Sequence, residues 1–101
     1  MLELEPRHLD MVKEVLRRHV PAARIVAFGS RVKGTNQRFS DLDLAVEAEA
    51  PLSFRALALI DADFADSDLP IKVDVIDLRS ISQEFRERVE REGIEIKPKA
   101  V

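Results

Sequence analysis

Residues 41–47, Asp41-Leu42-Asp43-Leu44-Ala45-Val46-Glu47, alternate an apolar set, Leu42, Leu44 and Val46, with a second set that carries both aspartates. A period of two marks a strand with one face in a core. Asp41 and Asp43 then project side by side from the other face. Adjacent carboxylates repel, and one of them resists ionisation unless a cation lies between them. Hard oxygen donors at this spacing suit Mg²⁺, which takes a few carboxylates together with substrate phosphates. Taken alone, Asp-x-Asp describes two solvated aspartates on an edge strand equally well.

A third acid shifts the balance. Ile71 to Ile76 is β-branched and strand-like, ending around Asp77, and Asp74 sits between Val73 and Val75 inside it. Aspartate is depleted in strands, and a carboxylate drawn inward needs a partner. On a strand neighbouring Asp41 and Asp43 and facing the same way, Asp74 completes a metal cage. Asp77 is the rival, but three residues on it faces the opposite side, where a turn or cap role suffices.

Upstream, Arg24 to Phe28 is a short apolar strand that ends at Gly29. The loop Gly29-Ser30-Arg31-Val32-Lys33-Gly34 follows it and opens a short helix. Backbone N–H groups at a helix start beside a glycine donate readily to phosphate, and Ser30 adds a hydroxyl. Arg31, Lys33 and Arg38 place three positive charges before Asp41, which suits a triphosphate. Other phosphate and metal loops do not fit. Thr35-Asn36 stands where a P-loop requires Lys-Ser/Thr, there are too few glycines for a dinucleotide fingerprint, and the Asp41 segment lacks the glycine and distal glutamate of an EF-hand. By itself the glycine loop is also an ordinary strand-to-helix turn.

Around this centre the pattern predicts a helix opened by Pro6, with Leu9, Val12, Val15 and Leu16 inside, stopping near His19 ahead of Pro21. Ser53 caps a helix to about Ala65 with Phe54, Leu57, Ile60 and Phe64 as its inner stripe. Ser80 with Gln83 forms a capping box for a last helix that buries Ile81, Phe85 and Val89 and stops at Gly93. Ile94-Glu95-Ile96 adds a short terminal strand, and Lys97 to Val101 is a loose tail. The order gives an α/β (α+β) class, a small mixed three-stranded sheet with a short fourth strand, flanked by helices as one domain over residues 1–101.

Composition limits the functions open to the chain. Of its 101 residues, 46% are hydrophobic and 35% charged, and all five aromatics are Phe. The absence of Cys excludes disulfides, thiolate zinc sites and cysteine nucleophiles. No apolar run approaches the roughly 20 residues that span a bilayer, and the N-terminus lacks signal-peptide features. A soluble, cytoplasmic protein is expected. The net charge of −3 conceals a surplus of +4 over residues 1–40 and a deficit of −8 over residues 41–77. That is not the footprint of a nucleic-acid binder, and no aromatic platform for bases is present.

Gly-Ser, a short helix, Ser40-Asp41-Leu42-Asp43-Leu44 and a later strand aspartate together resemble the signature of the polymerase-β-like nucleotidyltransferase superfamily. The short length and the closing Phe85…Val89…Glu92-Gly93-Ile94 pattern are similar to its minimal nucleotidyltransferase (MNT) branch, antitoxin partners of HEPN-domain toxins. Lys33 departs from the arginine seen in many relatives, keeping charge but losing the bidentate fork. The resemblance implies a nucleotidyltransferase fold in which Asp41, Asp43 and Asp74 are catalytic and hold two Mg²⁺ ions. It further implies ATP binding through Gly29, Ser30, Arg31, Lys33, Gly34 and Ser40, with Gly29 and Ser30 on the β- and γ-phosphates. The implied reaction is AMP transfer from ATP to a hydroxyl, a tyrosine of a HEPN toxin, which silences it within a hetero-oligomer. The alternatives are an antitoxin that neutralises by binding alone and a transferase acting on a small, aminoglycoside-type molecule. His8 and His19 are read as surface residues, and the Arg86, Arg88, Arg91 series interleaved with glutamates as a solvated helix face.

Overall fold

The computed structural model describes residues 2–97. Pro6–His19 forms α1, which has proline in its first turn and buries Val12, Val15 and Leu16. It ends where Val20 leaves the helical region, one residue before Pro21. β1 is Arg24–Phe28, α2 the single turn Ser30–Lys33, and β2 Leu42–Glu47. α3 covers Phe54–Ala65, β3 Val73–Asp77, α4 Gln83–Glu92 and β4 Ile94–Ile96. The expected tail lies, beyond Lys97, outside the described residues.

The sheet runs β3-β2-β1-β4. β1 is antiparallel to both β2 and β4, whereas β2 and β3 are parallel and joined through α3, since parallel neighbours require a crossover. The alternation along β2 sorts the two faces. Ile25, Ala27, Leu42, Leu44 and Val46 pack with Val12, Val15, Leu16, Ile60 and Phe64 beneath α1 and α3. On the other face Val26 and Ala45 join Leu78 and Val89 beneath α4. The short terminal strand expected at Ile94–Ile96 pairs with β1, which makes the sheet four-stranded. Among the described residues no helix is long and apolar enough to cross a membrane.

Several expectations are corrected. Ser82, not Ser80, caps α4 by accepting from the Phe85 N–H; Ser80 instead donates its hydroxyl to Asp77. β3 begins at Val73, so Ile71 and Lys72 precede it. Ser53 caps α3 as expected, but Phe54 is 89% exposed. At the first helical position it has not yet turned inward, and Leu52, ahead of the cap, packs on the core instead. Phe85 is likewise only part-covered. The charged face of α4 is not simply solvated: Glu90 pairs with Arg24, Glu92 with Lys33 and Arg86 with Glu47, fastening the helix across the sheet. His19 lies 2.9 Å from Asp63 of α3 and is not a free surface residue.

Candidate active site

The register of the sheet gathers the site. Phe28 of β1 stands opposite Asp43 of β2, and Asp43 stands opposite Asp74 of β3. These three form one cross-strand row on the face that carries α4, a row beyond Ala45 and Ile76. Asp41 immediately precedes β2, whose ladder to β3 opens with Leu42 N–H donating to Lys72 C=O at 2.9 Å. Thus two strands distant in sequence bring Asp43 and Asp74 together, with Asp41 beside them.

Burial, then the fields of Asp74 and Asp41, push the Asp43 carboxyl above the ordinary aspartate range. Among the described residues, Lys72 is the one cation within ion-pair distance of the three carboxylates, 3.2 Å from Asp74 and 72% exposed. A carboxyl whose ionisation its acidic neighbours oppose, as at Asp43, is the electrostatic condition a divalent cation relieves. Among the described residues, however, no three acidic or imidazole groups close into a complete cage on their own, contrary to expectation. Such a partial donor set fits Mg²⁺, which completes its octahedron with waters and phosphate oxygens.

Asp43 and Asp74 open into a cleft of about 800 Å³. One wall is aromatic: Phe85 of α4 meets Phe28 edge-to-face, with ring centres 5.8 Å apart. The other wall holds Lys72 and Asp61 of α3. Asp61 was not foreseen in the sequence. Burial and the field of Asp74 raise its carboxyl, partly offset by Lys72. Its one signal was a position next to Ile60 and three before Phe64, on the flank of the helix stripe.

The glycine loop is divided. Gly29 has φ +82° and lies directly against Asp43. Ser30 starts α2 beside it. Lys33 is held by Glu92 at 3.2 Å, and Gly34 is the left-handed cap of α2. Two residues expected at the nucleotide are turned elsewhere. Arg31 is buried and donates to the carbonyls of Ser40, Glu3 and Arg38. The Ser40 hydroxyl accepts from Gln37 N–H within the same loop. Asp77 is buried on the opposite face, accepting from Leu52 N–H, Arg79 N–H and the Ser80 hydroxyl.

The chain is similar to known proteins in sequence and in fold. Residues 10–100 match the family model described as Polymerase beta, Nucleotidyltransferase. The chain belongs to this nucleotidyltransferase family. The nucleotidyltransferase is 41% identical over 98 residues to "Probable protein adenylyltransferase MntA" of Haemophilus influenzae, covering 97% of this chain and 86% of that one. A crystal structure of a toxin–antitoxin with AMP-PNP shares the fold at a TM-score of 0.77 and 32% identity, over 90% of this chain and 73% of the other. A second structure contains tri-AMPylated Shewanella oneidensis HEPN toxin in complex with MNT antitoxin. Its TM-score is 0.74 at 26% identity, over 95% of this chain and 74% of the other. As a nucleotidyltransferase, the chain has its acids at the sheet end where β2 and β3 begin, beside the loop that follows β1.

Proposed function

We propose that this nucleotidyltransferase is an antitoxin that transfers AMP from ATP to a tyrosine hydroxyl of a partner HEPN toxin, acting in the cytoplasm where ATP is supplied. The reading rests on one observation above the others: Asp43 and Asp74 are register partners with Asp41 adjacent, and this cluster leaves Asp43 under-neutralised. The adenylyl-transfer chemistry named for the relatives supports it, since one is named an adenylyltransferase and another is crystallised with an AMPylated toxin.

Asp41, Asp43 and Asp74 would hold two Mg²⁺ ions, which when bound lower the pKa of the acceptor hydroxyl and neutralise charge on departing pyrophosphate. Gly29 and Ser30 would hold the β- and γ-phosphates, and Lys33 would supply a positive charge once released from Glu92. The acceptor hydroxyl gives up its proton to solvent as its oxygen attacks the α-phosphorus in line, the bond to the bridging oxygen of the β-phosphate breaks, and pyrophosphate leaves. Asp74, on the side of the open cleft, faces the incoming hydroxyl. The Phe28–Phe85 wall and the acidic rim at Asp61 are suited to an aromatic hydroxyl on a basic protein surface.

The test is direct. The chain and its partner toxin are incubated with ATP and Mg²⁺, and the toxin is weighed by intact mass spectrometry. One or more AMP additions, lost with Asp41→Asn or Asp43→Asn, support the proposal. Inhibition of the toxin with no mass change would replace it by neutralisation through contact.

A further inference from the structure

We infer that Arg31 is a positioning residue for Asp41 and not a ligand of the nucleotide, an inference that rests on the transfer reading above. An arginine on a single exposed turn of helix normally reaches into water. Arg31 is 7% exposed. Its Nε donates to Ser40 C=O at 3.0 Å, its Nη2 to Arg38 C=O at 3.0 Å and its Nη1 to Glu3 C=O at 2.7 Å. All three nitrogens therefore donate to main-chain oxygens, taking three of the five N–H donors of a guanidinium that is itself buried.

What the fork grips determines its role. Asp43 and Asp74 are fixed by the strand ladder, but Asp41 lies just outside it, at the end of the polar segment that follows Gly34. The Ser40 carbonyl belongs to the peptide that leads directly into Asp41. Arg31 holds that peptide from one side, and the Leu42 N–H to Lys72 C=O bond holds the next from the other. Asp41 is thus pinned between two anchors. The N-terminal segment closes the arrangement, because Glu3 accepts from the Arg31 side chain and its N–H donates to Arg31 C=O at 2.8 Å. Arg31 also borders a separate cleft, with Glu3, Arg38 and Phe39, rather than the one that holds Asp43 and Asp74. A lysine offers one compact point charge and cannot span three carbonyls in a plane.

The test compares wild type with Arg31→Lys and Arg31→Gln. A carboxylate displaced by about 1 Å costs on the order of 100-fold in rate. We expect kcat per folded molecule to fall by about that factor while KM for ATP stays within about threefold. In Arg31→Lys, the amide resonances of Asp41 and Leu42 should shift while those of Gly29 and Ser30 stay in place. A tenfold rise in the dissociation constant for a non-hydrolysable ATP analogue, at near-normal kcat, would make Arg31 a phosphate ligand and overturn the proposal. Wild-type kcat per folded molecule, with lowered Tm alone, would make the fork merely structural and overturn it equally. If the variants do not fold, the wild-type Arg31 Nε–H resonance decides: it stays fixed on adding the ATP analogue and Mg²⁺ if the fork is a support, and moves if it is a ligand. Absence of transfer by the wild type would refute the reading of the site, while the Asp41 and Arg31 resonances still report on the anchor.

Discussion

A side chain at Gly29 would place its Cβ 2.3 Å from Asp43 Oδ2, so the glycine turn and the central carboxylate occupy adjoining space. The φ of +82° adds a second reason for glycine there. Gly29→Ala must therefore strain the backbone and displace Asp43 together. We expect a loss of about 1–2 kcal/mol from the backbone conformation and a fall in transfer of roughly 100-fold or more from the misplaced carboxylate. Gly34 has a similar φ of +78° with nothing within 4 Å of a Cβ. Gly34→Ala should cost comparable stability with transfer within about threefold of wild type. Calorimetry and AMP incorporation on both variants separate strain from displacement; equal loss of activity in the two would refute the distinction.

Asp43 links activity to a stability penalty. Its carboxyl is raised by burial and by its acidic neighbours, so the folded state binds that proton more tightly than the unfolded chain does. The stabilising contribution is full below the unfolded pKa and is lost as pH rises through the folded one. At neutral pH the ionised group thus opposes folding. Asp43→Asn removes the charge, so in magnesium-free buffer at pH 7 its Tm should exceed that of wild type, although transfer is abolished. The gap should narrow when Mg²⁺ is added, because the cation favours the wild-type carboxylate. A lower Tm for Asp43→Asn in chelator would show that the acids are not in conflict.

Much of this arrangement was legible in the primary structure, for identifiable reasons. The period of two in Leu42, Leu44 and Val46 fixes the face of Asp43, and an aspartate inside Val73-Asp74-Val75-Ile76 is improbable without a partner. The same arithmetic placed Asp77 opposite Asp74, where it lies. The capture of Arg31 was not legible because charge in a glycine loop is visible in sequence, whereas the three carbonyls that hold it come from residues 3, 38 and 40. Asp61 was missed because one acid on a helix flank is commonplace until α3 is laid beside β3. Phe54 shows the limit of periodicity at a helix start, where the first residue precedes the turn toward the core.

Asp77 and Asp74 should divide stability from activity. Asp77 is 4% exposed, and burial pushes its carboxyl up. The N–H groups of Arg79 and Leu52 and the Ser80 hydroxyl outweigh that, so the net shift is downward. A depressed carboxyl stabilises the fold above its unfolded pKa and loses that contribution as pH falls through the folded one. Asp77→Ala strands buried donors at about 1–3 kcal/mol and should weaken the acid dependence of Tm below the ordinary aspartate range, while kcat per folded molecule persists. Asp74→Asn should do the reverse, leaving Tm nearly unchanged and cutting kcat with a smaller effect on ATP binding. Chemical denaturation across pH, paired with single-turnover transfer, checks both. Retained transfer in Asp74→Asn would remove Asp74 from the reaction.

Lys72 competes for the position a metal needs. Its ammonium lies 3.2 Å from Asp74, and its own pKa is raised by the Asp74 hydrogen bond and charge, then by Asp41 and Asp61. Because the side chain is largely exposed, solvent screens the pair and its loss should hardly alter stability. Its effect should fall on cation demand instead. Mg²⁺ binding at Asp74 must displace the ammonium, and an exposed ion pair of this kind corresponds to a factor of about two to five in an equilibrium constant. Lys72→Met should therefore reach half-maximal transfer at a Mg²⁺ concentration lower by about that factor, with the difference shrinking as ionic strength screens the pair. Magnesium titrations of wild type and variant at low and high salt check this. A higher Mg²⁺ requirement in Lys72→Met would mean that the lysine assists the phosphates rather than guarding the carboxylate.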